Sequence, residues 1–85
     1  MKLKLLYFAR LREAFECPGE DVDLPAQVKD VAGLAQGLRA RGGSFAAELA
    51  PGRAYRFAVD QEMAGPQTPL HDNAEVAVFP PVTGG

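Results

Sequence analysis

The sequence predicts a single small α+β domain in which one main helix covers one face of a mixed β-sheet. Three observations predict this class: an alternating apolar segment near each end of the chain, and an amphipathic helical segment between them. With 85 residues, of which 47% are hydrophobic, the chain has enough apolar material for one core.

The N-terminal segment, residues 2–8, is the first predicted strand. Its side chains alternate, so three apolar residues share the face that we assign to the core: Leu3, Leu5 and Tyr7. In residues 9–16, Leu11 and Phe15 lie four positions apart, which is typical of a short helical turn. Cys17-Pro18-Gly19 should end that turn.

The next two elements are a second strand and the main helix. Val22 and Leu24 alternate with aspartates, which predicts a strand that pairs with the first and ends at Pro25. Asp30 is a good N-cap, and the apolar residues after it recur at helical spacing: Val31, Leu34, Ala35 and Leu38. Gly42-Gly43 should end this helix. We expect Gly33 and Gly37 to lie exposed on its other side, where each weakens the helix by about 1 kcal/mol relative to alanine.

The C-terminal half supplies the remaining strands. We expect a loose turn at residues 45–50 that tucks Phe45 and Leu49 under the sheet. Residues 55–60 alternate as a third strand, and Met63-Ala64 is a brief fourth. A turn at residues 70–74, with Asn73 in left-handed geometry, leads into the last strand at residues 75–79.

The order of these elements predicts the topology. The first and last strands flank the helix in sequence and are most easily placed side by side at the centre of the sheet. This is the β-grasp, or ubiquitin-like, architecture, with one covered sheet face and one open face. We therefore divide the chain into a β-grasp domain at residues 1–79 and a flexible, extended tail at residues 80–85.

Composition excludes several functions. The net charge of −2 gives no basic face for nucleic acid, and no apolar run approaches the length of a membrane span. One cysteine, with no recognisable signal segment, indicates the cytoplasm. Nothing in the sequence brings Cys17 and His71 together as nucleophile and base, and no Cys/His set has the spacing of a metal site. We expect no active site made of side chains and no bound cofactor.

The open face of the sheet is the first candidate site. By alternation, one group of apolar residues points away from the helix, with Met63 nearby: Leu6, Phe8, Ala58, Ala77 and Phe79. An exposed apolar patch of this kind usually marks a partner interface. The alternative is that loop residues 45–50 or 64–69 fold over the patch.

The tail is the second candidate site, and its residues are Pro80, Pro81, Val82, Thr83, Gly84 and Gly85. Two prolines cannot continue a hydrogen-bonded ladder, and two glycines can enter a slot too narrow for other residues. Such a terminus suits delivery of the Gly85 α-carboxylate into a partner's active site. If ATP converts that carboxylate to an acyl adenylate, attack by sulfide or a persulfide would lead to a C-terminal thiocarboxylate.

Two segments resemble the small, sulfur-carrier subunits of molybdopterin synthases. The stronger is residues 75–85, which end Phe79-Pro80-Pro81-Val82-Thr83-Gly84-Gly85, and the other is residues 5–13. The turn Asp72-Asn73-Ala74 departs from the Asp-Gly-Asp that is usual in the family. The resemblance implies that an adenylyltransferase related to ubiquitin-activating enzymes uses ATP to adenylate Gly85.

The resemblance also implies the later steps and partners. The thiocarboxylate tail would enter the large subunit of a heterotetramer with two small and two large subunits, and would give its sulfur to a pyranopterin precursor to form the molybdopterin dithiolene. Interface positions of the family match Phe8, Met63 and Phe79. Three other roles stay open: a sulfur carrier for thiamine or tRNA thiolation, a ubiquitin-like modifier of protein lysines, and an interaction domain whose tail is structural.

Overall fold

The computed structural model describes residues 1–81. In chain order its elements are β1 (Lys2–Tyr7), α1 (Ala9–Phe15), β2 (Gly19–Asp23), α2 (Val31–Arg39), α3 (Gly43–Glu48), β3 (Arg56–Val59), β4 (Glu62–Ala64) and β5 (Ala74–Phe79). The sheet order is β2-β1-β5-β3-β4. β1 and β5 are parallel at the centre, and every other pairing is antiparallel. The predicted β-grasp architecture is confirmed.

Helix α2 covers the inner face of the sheet. Its buried stripe is the predicted one: Val31, Leu34, Ala35 and Leu38. It packs in one core with the inward residues of the two central strands, Leu3, Leu5, Tyr7, Val76 and Val78. The Asp30 side chain caps the helix by accepting a hydrogen bond of 2.9 Å from the Gly33 N–H, as predicted.

The two segments predicted as turns, residues 9–16 and 45–50, form short helices, α1 and α3, beside the predicted main helix. Helix α3 begins after Gly42, whose φ of 78° is accessible to glycine at little cost. It places Leu49, fully buried, in the core, and stacks Phe45 on Phe15 with ring centroids 4.1 Å apart. Core burial at both segments therefore stabilises helices too short to form alone.

Strand β2 lies earlier than the predicted second strand. It begins at Gly19, where only glycine fits because a Cβ would collide with the Leu5 carbonyl oxygen across the ladder. Leu24 falls outside the strand, although its N–H still donates to the Met1 carbonyl oxygen at 2.8 Å. The turn before β5 agrees with the prediction, since Asn73 has a φ of 67°.

Candidate functional site

The outer face of the sheet carries one continuous apolar row that crosses β1, β5, β3 and β4. The register pairs Leu6 with Ala77, Ala77 with Ala58, and Ala58 with Met63. Met63 is 67% exposed, whereas Ala58 is buried. The predicted residues therefore do share the open face, and we call Leu6, Phe8, Ala58, Met63, Ala77 and Phe79 the open-face patch.

The patch continues to the end of the sheet at which β5 stops. The Phe8 N–H donates to the Val78 carbonyl oxygen at 3.1 Å, which places Phe8 beside the end of β5, and its side chain is 46% exposed. Phe79 pairs with Arg56 and is half-buried, and Pro80 and Pro81 follow directly. Apolar surface and tail base therefore meet at one edge of the molecule.

No loop covers this patch within residues 1–81, so the alternative that residues 45–50 or 64–69 fold over it is wrong. Leu49 packs in the core on the inner side of the sheet. The carbonyl oxygens of Pro66 and Thr68 accept hydrogen bonds from Ala32 and Val31, at 2.9 and 3.1 Å, which holds this loop against the start of α2.

The far half of the same face is charged. Lys4 pairs in register with Asp21 on one side and with Glu75 on the other. Beyond them, Asp60 accepts a 3.0 Å hydrogen bond from the Glu75 N–H. The outer face is therefore divided into a charged part and an apolar part, and the apolar part lies on the side of the tail base.

A polar network behind the patch holds β1 in place. The Tyr7 hydroxyl donates to Glu20 Oε2 at 2.7 Å, and Arg41 donates to both oxygens of that carboxylate, at 2.8 and 3.0 Å. The Arg41 hydrogen bonds, followed by that of Tyr7, hold the pKa of Glu20 below its ordinary value. Burial and the bond to Glu20 raise the pKa of Tyr7, so the hydroxyl stays protonated and donating. Sequence reasoning missed this network, which no local pattern signals.

Two arginine side chains, one from α1 and one from the segment before β3, meet at Glu48 in α3. Arg10 Nε and Arg53 Nη2 lie 3.0 and 3.2 Å from Glu48 Oε1, and Arg10 also donates to the Ala54 carbonyl oxygen. A third arginine, Arg56, lies opposite Phe79 in the ladder. Sequence reasoning also missed this cluster, because α1, α3 and β3 bring it together.

Cys17 and His71 do not form a site. Cys17 follows α1 near Gly19, which pairs with Leu6, whereas His71 precedes Ala74, which pairs with Leu3 three positions along β1. His71 Nε2 lies 2.6 Å from Asp60 Oδ2, and this bond raises the pKa of His71. Among residues 1–81 no group of three His, Cys, Asp or Glu side chains could hold a metal ion.

The tail itself falls largely beyond this description. Val82, Thr83, Gly84 and Gly85 lie outside the described residues, so their assignment as a carrier tail stays a prediction, as do the division at residue 79 and the cytoplasmic location. None of the helices within residues 1–81 is long and apolar enough to cross a membrane.

The fold, and the open-face patch that meets the end of β5, define a small ubiquitin-like protein of the β-grasp class. The chain belongs to the ThiS family, whose model matches residues 5–85. It is 37% identical over 83 residues to the molybdopterin synthase sulfur carrier subunit of Escherichia coli, covering 98% of this chain and 99% of the relative.

Two solved structures share the fold over almost the whole chain. One, from Pyrococcus furiosus, is described as a candidate molybdopterin converting factor, subunit 1. It has a TM-score of 0.80 and 26% identity, covering 96% of this chain and 99% of that one. The other, SAMP1 from Haloferax volcanii, has a TM-score of 0.77 and 20% identity over the full length of both chains, a likeness of fold alone.

Proposed function

We propose that this chain is the sulfur-carrier subunit of a molybdopterin synthase and that the α-carboxylate of Gly85 carries the sulfur. The observation that supports this most directly is the convergence of the open-face patch with the end of β5. A partner can bind this apolar surface while the segment beside it enters the partner's active site. The full-length relative from E. coli supports the particular pathway.

The proposed chemistry begins with activation of Gly85. A carboxylate oxygen attacks the α-phosphorus of ATP bound by an adenylyltransferase, which forms the acyl adenylate and releases pyrophosphate. Sulfide then attacks the acyl carbon and AMP leaves, so that a thiocarboxylate remains on Gly85. ATP is a substrate of the activating enzyme, and the carrier needs no bound cofactor.

In this proposal the residues of the domain bind the partner enzyme and orient it, and the tail carries the group that reacts. Phe8, Met63 and Phe79 provide the large apolar side chains, and Ala58 and Ala77 keep the surface between them low enough for a close contact. The activating enzyme and the synthase large subunit use this same face in turn. In the 2+2 heterotetramer each small subunit inserts its tail, Pro80 to Gly85, into a large subunit, where the sulfur passes to the pyranopterin precursor.

Mass spectrometry of the charged protein tests the proposal. The full chain is incubated with an adenylyltransferase, ATP and sulfide, with Cys17 blocked beforehand. Exchange of oxygen for sulfur and a single oxidation add the same nominal mass, so fragment spectra must place the change on Gly85 rather than on a methionine. A variant lacking Gly85 is the matched control. A chain that stays unchanged while a known carrier is charged in parallel would overturn the proposal.

A role as a protein modifier is the second candidate, because the chain shares its fold with H. volcanii SAMP1, whose full name is small archaeal modifier protein 1. In that role a lysine amine attacks the activated Gly85, and an isopeptide bond forms. A blot for high-mass conjugates that depend on Gly84 and Gly85 distinguishes it. Addition of the precursor and the large subunit separates the molybdopterin pathway from thiamine or tRNA thiolation, since only the first yields a dithiolene.

A further inference from the structure

A groove separate from the open-face patch lies between α2 and the sheet edge formed by β3 and β4. Its volume is about 530 Å³, within the range of roughly 300–1,000 Å³ that is usual for binding pockets. One wall is a flank of α2 with residues four apart, namely Val31, Ala35 and Arg39. The opposite wall is built by Tyr55, Arg56, Phe57 and Ala64. The groove is therefore mostly apolar.

Two guanidinium groups give the groove a positive charge. Arg39 and Arg56 both line it, and no acidic side chain does. Arg10, Arg41 and Arg53 each make an ion pair, at 3.0, 2.8 and 3.2 Å. Across residues 1–81, by contrast, no carboxylate lies within 4.0 Å of Arg39 or Arg56. Within residues 1–81, these two guanidinium groups are therefore available to a bound anion.

Arg39 is already fixed in position. Its Nη1 donates to the Leu49 carbonyl oxygen at 3.3 Å and to the Tyr55 hydroxyl at 3.4 Å, and the side chain is half-buried. These bonds occupy one of its three nitrogens, so the other nitrogens keep donors for a carboxylate. Arg56 Nη1 is held by the Tyr55 carbonyl oxygen at 3.0 Å. Little side-chain entropy would be lost when an anion binds.

The sheet edge at the groove is open. β4 ends at Ala64, which pairs with Phe57, and the chain continues as a loop through Gly65 and Pro66 along the groove. Within residues 1–81, no strand therefore pairs with Tyr55, just before β3, on that side. Main-chain groups alternate in direction along a strand, so the Tyr55 N–H points the same way as that of Phe57, away from β5. An extended segment added here would gain a main-chain hydrogen bond as well as the apolar and charged contacts.

We propose that this groove binds an extended peptide segment of a partner protein that carries a carboxylate side chain between apolar residues. The carboxylate is bound by Arg39 and Arg56, and the apolar side chains pack on Val31, Ala35 and Phe57. No residue of the open-face patch lines the groove, although Arg56, which does line it, lies opposite Phe79 in the ladder. A partner held in the groove therefore leaves the tail free to react.

Amide chemical shifts of the full chain, titrated with the blocked hexapeptide Val-Leu-Asp-Val-Leu-Gly, test the proposal. We expect shifts at Ala35, Arg39, Tyr55 and Ala64, and none at Phe8. Arg39→Gln should weaken binding about tenfold, as for the loss of one charge-assisted hydrogen bond. Arg12→Gln is the matched control, because it removes the same charge from an exposed site on α1 outside the groove.

Several outcomes would overturn this inference. They are absence of binding at millimolar peptide, equal binding of the peptide with Asn in place of Asp, and equal effects of the two arginine variants. Changes in the amide chemical shifts of groove residues on raising the protein concentration alone would show that a second copy is the occupant. Amide chemical-shift changes at groove residues that disappear when residues 82–85 are removed would show that the chain's own tail is the occupant. The readout is binding, so failure of sulfur loading at Gly85 does not affect it.

Discussion

Glu20→Leu tests whether the polar network behind the open-face patch stabilises the fold. Glu20 lies opposite Leu5 in the ladder, so its side chain is on the inner side of the sheet edge. Its loss leaves the hydroxyl of Tyr7, a residue that is 1% exposed, without its acceptor. A buried donor left unpaired costs about 1–3 kcal/mol.

The ion pair with Arg41 adds less. The side chains of Arg41 and Glu20 are 37% and 28% exposed, so solvent screens the pair. Such a pair contributes no more than about 1 kcal/mol. We therefore expect the free energy of unfolding to fall by about 2–3 kcal/mol, which for a domain of this size lowers the Tm by roughly 8–24 °C.

Urea and thermal denaturation at neutral pH, followed by circular dichroism, measure the loss, with the exposed Glu13→Leu as the matched control. Tyr7→Phe supplies the critical comparison. Alone it should cost about 1 kcal/mol, but in the Glu20→Leu background it should be neutral or stabilising, because it removes the stranded hydroxyl. Additive losses in the double variant would refute the reasoning.

The same network predicts a dependence on pH. Arg41, and then Tyr7, lower the pKa of Glu20 in the folded chain. The stabilisation is therefore present above the unfolded pKa of glutamate, about 4.3, and is lost as the pH falls through the lower folded value. The stability difference between the natural chain and Glu20→Leu should narrow in acid. A constant difference down to complete acid unfolding would contradict this assignment.

Three further predictions concern the patch, the helix and the turn before β5. Phe79→Glu should weaken binding of the large subunit and of the adenylyltransferase at least about tenfold, because a charge would be buried in an apolar contact. Calorimetry measures both affinities, with Gln67→Glu as the control variant. Equal affinities of the two variants would refute the prediction. Gly37→Ala should raise the Tm by about 4–8 °C, since the new Cβ would meet no atom within 4 Å. Gly33→Ala should raise the Tm less, since its Cβ would lie 3.3 Å from Val28 Cγ1. Equal gains in Tm would show that this contact is unimportant. The bond to Asp60 raises the pKa of His71, so its stabilisation is present below the unfolded pKa of histidine and is lost as the pH rises through the folded value; His71→Gln should remove that dependence, and an unchanged slope would exclude the pair.

Local patterns in the sequence were enough for much of the fold and for the first candidate site. Asp30 and the apolar spacing after it predicted α2, and Asn73 predicted the turn before β5. Alternation along each strand assigned Leu6, Ala77 and Ala58 to one face, because a strand's side-chain period of two is a property of the backbone. The sequence also singled out the Gly-Gly tail, whose role as a carrier remains our proposal.

Contacts between segments that are distant in the sequence were decided by the tertiary structure. Position 19 requires glycine because the neighbouring strand passes too close for a Cβ, and Leu49, directly after α3, enters the core. Glu20 joins Tyr7 and Arg41, which lie 13 and 21 positions away in the chain. The groove with Arg39 and Arg56 likewise depends on where α2 crosses the edge of β3. A local period specifies which way a side chain points, but the order of the strands specifies what it meets, and that order is set by burial of the whole core.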